Sequence, residues 1–251
     1  MVGDLGNRQQ IERDYHNRKY KDDNISSSPG FVNAAYIFYQ RTIDQLPCGR
    51  ILDFGCGDGW VSINLAKLGY DVFGIDISIE LINKARKWAK DIGVSGNVHF
   101  EEMAGEHLLF QDDFFDAVVG SAVLHHTDFE MALNSIYRVL KPGGIGLFIE
   151  PMNQNIFLKT WRAMTPWRRS PAERALTMEE INMIKKKFPL ARLNYFVFFS
   201  ILSIGLMTMF PNIHLMRSIN KWLEKCDECL IKRFPKIGIY CAVVVVELVK
   251  D

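Results

Sequence analysis

Between Gly49 and Glu150, short apolar runs alternate with amphipathic stretches, a rhythm that predicts parallel strands joined by crossover helices. Arg50–Phe54 (RILDF), Asp71–Asp76 (DVFGID), Asn97–Glu101 (NVHFE), Phe115–Ser121 (FDAVVGS) and Gly146–Glu150 (GLFIE) read as strands. Phe115–Ser121 is nearly continuous in apolar character, as a strand covered on both faces should be. Trp60–Leu68 reads as a helix closed by Gly69. Ser78 reads as the N-cap of a second, in which Leu81, Ile82, Ala85, Ala89 and Ile92 recur at helical spacing. Asp128 caps a third helix running to about Leu140, where Lys141-Pro142-Gly143-Gly144 stops it.

After Glu150 the rhythm changes. Asn155–Met164 predicts a short helix, Thr177 caps another through about Lys187, and Ala191–Phe199 predicts a strand. That strand leads into the 16-residue apolar run Tyr195–Phe210, which is shorter than the roughly 20 residues a membrane-spanning helix needs. Leu215, Ile219, Trp222, Leu223, Cys226 and Leu230 mark one stripe of a helix over His214–Phe234. Gly238–Val249, rich in β-branched residues, predicts a final strand. The pattern contains no internal repeat and no second core. It predicts one domain over residues 1–251, with an N-terminal helical lid (1–48), a core (49–150), a helical insertion (151–237) and a last strand (238–251).

Composition narrows the partners. The 251 residues carry 30 Lys+Arg against 29 Asp+Glu, with 48% hydrophobic and 24% charged residues. This mix excludes a disordered or low-complexity chain. The net charge of +1 and the lack of a basic stripe argue against nucleic acid as a partner. Five scattered cysteines (Cys48, Cys56, Cys226, Cys229, Cys241) read as reduced thiols of a cytoplasmic protein. Residues up to Asp23 lack the apolar centre of a signal peptide. Cys226-x-x-Cys229 stands alone, and His99 and His107 have no metal-ligand spacing around them, so no metal site is expected.

The densest chemistry lies in Ile51-Leu52-Asp53-Phe54-Gly55-Cys56-Gly57-Asp58-Gly59. Alternating glycines after a strand let backbone approach a ligand closely, and the helix that follows presents amides to a negative group. Asp76, 21 residues beyond Gly55, ends the next strand, where a carboxylate can accept from ribose hydroxyls. A dinucleotide fingerprint would place glycine or alanine at position 60. Trp60 stands there instead, which weighs against a nicotinamide-dependent oxidoreductase or epimerase.

Four ordered segments, Leu52–Gly59 (LDFGCGDG), Asp76, Phe115–His126 (FDAVVGSAVLHH) and Arg138–Gly144 (RVLKPGG), resemble class I S-adenosylmethionine-dependent methyltransferases of the small-molecule type. The resemblance implies an α/β fold: a doubly wound, Rossmann-like, seven-stranded sheet with its last strand antiparallel, here carrying a C-terminal helical insertion. It implies S-adenosyl-L-methionine as cofactor. Asp53, Gly55, Cys56 and Gly57 would surround its methionine part, Asp76 its ribose and Ile77 its adenine, with Ser121 and Ala122 lining the pocket. The family usually has an acidic residue after the third strand to accept from the adenine amino group. Ala104 occupies that position, so a backbone carbonyl in Ala104-Gly105-Glu106, or the Glu106 side chain, would have to substitute.

His125 and His126 follow the fourth strand at the carboxyl edge of the sheet, where an imidazole can take a proton from an acceptor or simply brace the helix after Asp128. Glu150 offers a second base or a carboxylate bonded to local backbone. Tyr15, His16 and Tyr20 share a helix that either folds over the cofactor or faces solvent. Arg162, Arg168, Arg169 and Arg174, near Trp161 and Trp167, form an anion site or a solvated face. Residues 195–234 combine an apolar run with Lys221, Lys225, Lys232 and Arg233, which suits a hood over an apolar or amphiphilic small-molecule acceptor (lipid, isoprenoid or secondary metabolite), a peripheral membrane surface, or plain core. A binding module that keeps the fold without turnover is the remaining alternative.

Overall fold

The computed structural model describes residues 6–21, 34–47, 49–166, 170–203 and 214–251, the side chains of 214–217 excepted. Cys48, Trp167, Arg168, Arg169, residues 204–210 of the apolar run and the side chain of Leu215 fall outside that set.

Seven strands form: β1 (Arg50–Phe54), β2 (Asp71–Asp76), β3 (Val98–Glu102), β4 (Phe115–Ser121), β5 (Leu140–Pro151), β6 (Arg192–Phe196) and β7 (Val243–Val249). They pair in the order β3-β2-β1-β4-β5-β7-β6. β7 runs antiparallel to both its neighbours, and every other pairing is parallel. The order reverses between β1 and β4, which opens a crevice beyond their carboxyl ends. β5 begins earlier than its apolar core suggests. Its register with β4 jumps from Phe115↔Leu140 to Ala117↔Ile145. The Lys141–Gly144 segment, expected only to stop a helix, is therefore a bulge in the strand, where Pro142 needs no ladder partner.

Alternate residues feed two cores. Leu52, Phe54, Val118, Phe148 and Val246 face α5 (Phe129–Val139) and α7 (Met178–Lys187), while Ile51, Ala117, Val119, Leu147 and Val245 face α2 (Ala34–Ile43), α3 (Trp60–Lys67) and α4 (Ile79–Asp91). Ser78, Asp128, Asn155 and Thr177 each accept a helix-capping hydrogen bond as their spacing predicts, Asn155 for α6 (Ile156–Met164). Ile92 lies beyond the last turn of α4 and is exposed.

The C-terminal third departs most from its hydrophobic pattern. β6 ends at Phe196 because Val197 turns into the left-handed region (φ +65°). The following amides of Phe198, Phe199 and Ser200 then donate to the buried Asp227 carboxylate at 2.8, 2.8 and 3.0 Å. Asp227 lies on α8 (His214–Arg233). The buried face of that helix is polar: Asn220 and Asp227 are inside, Trp222 is 64% exposed, and Glu224 accepts from the Ala34 amide at the start of α2. Ile219, Leu223, Cys226 and Leu230 of the expected stripe are half-buried beside them, while the carboxylates cap two chain segments. The insertion is also not wholly helical, since it supplies β6. Residues 238–242 precede β7, and Pro235–Tyr240 is a 3₁₀ turn. Among the described residues, no helix is long and apolar enough to cross a membrane.

Removing the Asp227 acceptor orphans three partly or fully buried amides. Asp227→Ala should cost about 2–4 kcal/mol in urea unfolding, and Asp227→Asn, which keeps one acceptor oxygen, should cost less.

Candidate functional site

A cavity of about 310 Å³ lies at the carboxyl ends of β1, β2 and β4. Asp53, Gly55, Cys56 and Gly57 line it from the first turn, Asp76 and Ile77 from the end of β2, and Gly105 and Glu106 from beyond β3. Ser121, Ala122, His125 and His126 enter after β4, and α1 (Asn7–Lys19) with the residue after it closes the cavity with Tyr15, His16 and Tyr20. Arg8 donates to the His125 carbonyl at 3.1 Å, and the Ser78 hydroxyl donates to Asn17 at 2.6 Å, so α1 is tied down as a lid.

The glycine turn explains itself sterically. Gly55, Gly57 and Gly59 all have positive φ (+74°, +56° and +87°), and a Cβ on Gly55 would overlap the Val123 side chain. The turn hands the chain to α3, whose first residue, Trp60, lines the cavity and packs 6.2 Å from the Tyr36 ring. Asp76 accepts from the Gly57 amide at 3.0 Å and the Ser78 amide at 2.8 Å, while Ser62 donates to Asp53 at 2.6 Å. Burial raises Asp53 to about 7 and Asp76 to about 6 against those hydrogen bonds. Burial also holds the Cys56 thiol well above its usual value, so it is packing and not a nucleophile. A buried carboxylate (Asp53) and a half-buried one (Asp76), both bonded to neutral donors beside a turn in which glycines flank Cys56, fit a ligand that carries both a positive charge and a diol.

Two expected contacts move. Ala104 is buried but does not line the cavity. Glu106 does line it, yet its Oε1 accepts from the Asp128 amide at 2.9 Å, so that oxygen already supports the start of α5. Glu150 is also withdrawn from the cavity. Its Oε1 accepts from the Val123 and Leu124 amides at 2.9 and 2.8 Å, and its Oε2 lies 2.6 Å from His125 Nδ1. With all its acceptors engaged and the residue 1% exposed, Glu150 positions the loop and does not meet a ligand.

A carboxylate can only accept, so His125 Nδ1 carries the hydrogen. Nε2 is left on the far side of the ring, 3.9 Å from Glu173. Arg162 pairs with Glu173 at 2.9 Å and Arg174 with Glu180 at 3.0 Å, so these arginines are occupied by carboxylates of the chain itself. His126 does not cap the next helix. Its Nδ1 lies 3.0 Å from Glu12 Oε2, and its ring meets His16 edge-on at 5.3 Å. Burial, then His126, pushes His16 down to about 4. Burial pushes Glu12 up, but His126, with help from the Ser170 hydroxyl and His16, outweighs it and leaves the carboxyl lowered.

Glu12, Tyr36 and Glu173 are lining residues that the sequence pattern did not single out. Glu12 had a readable signal, standing four residues before His16 on one helical face. Tyr36 and Glu173 had none, being brought in by tertiary packing alone.

The family model described as "Methyltransferase domain" matches residues 51–144, the stretch that supplies β1 to β4 and most of the cavity floor. Over residues 51–144 the chain is similar to methyltransferase domains. The ubiquinone/menaquinone biosynthesis C-methyltransferase UbiE of Vibrio campbellii is 39% identical over 108 residues, 41% of this chain and 42% of that protein. The chain thus spans less than half the length of the curated relatives it matches. A SAM-dependent methyltransferase from Methanosarcina mazei superposes with a TM-score of 0.50 at 26% identity, covering 61% of this chain and 88% of that one. Geranyl diphosphate C-methyltransferase from Streptomyces coelicolor A3(2) shares the fold end to end, with a TM-score of 0.64, 13% identity and 99% of both chains. The match to a methyltransferase model weighs against the nicotinamide reading, in keeping with Trp60.

Glu150→Ala leaves His125 and two amides without their acceptor and should cost about 3–5 kcal/mol in urea unfolding. Glu150→Gln still offers an oxygen to Val123 and Leu124 and should cost roughly half as much.

Proposed function

We propose that the chain moves a methyl group from S-adenosylmethionine to a small amphiphilic acceptor, with His125 taking the acceptor's proton. The observation that carries this reading is that the glycine turn, Asp76 and the free edge of His125 share one cavity. When bound, the cofactor supplies a methyl group already activated by a positively charged sulfur. The turn at Gly55–Gly57 would receive its methionine part, Asp76 its ribose, and Ile77 with Glu106 would flank its base. Glu150 holds His125 so that Nε2 accepts a proton from an acceptor O–H, N–H or acidic C–H. The lid α1 excludes water. Alignment of this kind supplies about 7–11 kcal/mol, more than the 10²–10⁴-fold, about 3–5 kcal/mol, expected of a base.

The acceptor side rests on the lining. Tyr15, Tyr20, Tyr36 and Trp60 offer aromatic surface beside the polar edge made by Glu12, His125, His126 and Glu173. Among the described residues, the acceptor wall is made by α1, α2 and Glu173; residues 204–213 of the hood expected from the sequence lie outside the described set. The names of the quinone-pathway and geranyl diphosphate C-methyltransferases give support to a phenolic or isoprenoid acceptor.

Ligand charge and the ribose diol both favour the anionic forms of Asp53, raised to about 7, and Asp76, raised to about 6. Affinity for S-adenosylhomocysteine, read by calorimetry, should therefore fall as pH drops from 8 to 5, by up to about tenfold per unit below pH 6. Asp76→Asn should weaken binding about 10–100-fold at pH 8 and flatten the acid limb.

Transfer of labelled methyl groups to a panel of phenolic and isoprenoid compounds should give product. His125→Ala should lower kcat by about 10²–10⁴ with cofactor affinity unchanged. Cofactor binding without product on any acceptor would mean a binding module, and a preference for sugars or free amino acids would overturn the acceptor class.

A further inference from the structure

We propose that Glu12, His16 and His126 bind a divalent transition-metal ion of the zinc type, which fastens α1 across the cavity. Glu12 and His16 stand one turn apart on the same face of α1, and His126 meets them from the turn after β4. His126 Nδ1 lies 3.0 Å and His16 Nε2 3.7 Å from Glu12 Oε2, and one ligand atom from each residue falls within 4.8 Å of the others. A tetrahedral ion with bonds of about 2.0–2.1 Å sets neighbouring ligand atoms about 3.3 Å apart. The two measured separations bracket that value.

A second observation points to a ligand at the same place. Glu12 is 2% exposed and lines the cavity, yet its Oε1 makes no hydrogen bond of good geometry, the Ser170 hydroxyl beside the carboxylate notwithstanding. An acceptor-only oxygen buried in this way is costly, and a cation is what it lacks. Two imidazoles and one carboxylate suit zinc, cobalt or ferrous iron, whereas magnesium and calcium prefer oxygen throughout. Three protein ligands leave further positions open toward the cavity, the arrangement of an exchangeable site. A neighbouring trio of His125, His126 and Glu173 is also close enough to chelate. There, however, the only carboxylate, Glu173, is already paired with Arg162 at 2.9 Å, so the ion is assigned to the Glu12 group.

The test needs neither cofactor nor turnover, so its outcome is independent of the methyl-transfer reading. The full chain, stripped with chelator, is titrated with zinc by calorimetry, and cobalt is added in parallel for its visible absorption. One ion per chain is expected, together with slower proteolysis within α1. His16→Ala and Glu12→Gln, each shown folded by circular dichroism, should weaken binding by at least about a hundredfold. Cys226→Ser/Cys229→Ser should leave it unchanged. No saturable binding to the wild-type chain, or binding that survives loss of His16 and Glu12, overturns the proposal, as does binding that disappears with the two cysteines.

Discussion

The site depends on one buried carboxylate. Glu150 sits at the end of β5, beside β4, and accepts from two consecutive amides and an imidazole in the turn that β4 enters. The turn has no regular ladder of its own, so without those three bonds its donors would be buried and unpaired. The same bonds set the tautomer of His125 and hold Val123 against the first glycine turn, whose shape requires Gly55. Stability, the outline of the ligand cradle and the aim of the imidazole are thus one constraint, imposed from a neighbouring strand.

The lid is held by a different logic. α1 is polar on nearly all sides and would not form a stable isolated helix. Its attachment is by single polar contacts: Arg8 to a carbonyl, Asn17 to Ser78, and Glu12 to His126. Such contacts can be exchanged for water one at a time, which suits an element that must move for a ligand to enter a cavity of about 310 Å³.

Strand periodicity and caps made the central sheet legible, because five apolar runs each had one buried solution and Ser78, Asp128, Asn155 and Thr177 had side chains that only a helix start would use. The glycine-turn side of the cavity was equally legible, since Gly55, Gly57 and Asp76 reach it through backbone shape and strand ends. The acceptor side was not. Glu150 reads equally as a base or as a carboxylate bonded to local backbone, and the structure has the second, with His125 added; Ala104 occupies the family's adenine position yet faces the core. On α8 the hydrophobic stripe was legible except at the exposed Trp222, but the capping work of Asp227 and Glu224 is something that spacing along a helix does not encode. Distant contacts such as Ala34 with Glu224 have no local signature.

The sheet order carries one more implication. β6 pairs only with β7, and β7 lies between β5 and β6 although it is formed from the latest residues of the seven. During synthesis β6 must therefore wait, its ladder groups open on the β5 edge of an otherwise assembled sheet, until Val243–Val249 clears the ribosome and slots in. Loss of Val243–Val249 would leave β6 without a partner and the β5 edge open, two strands undone by the removal of one.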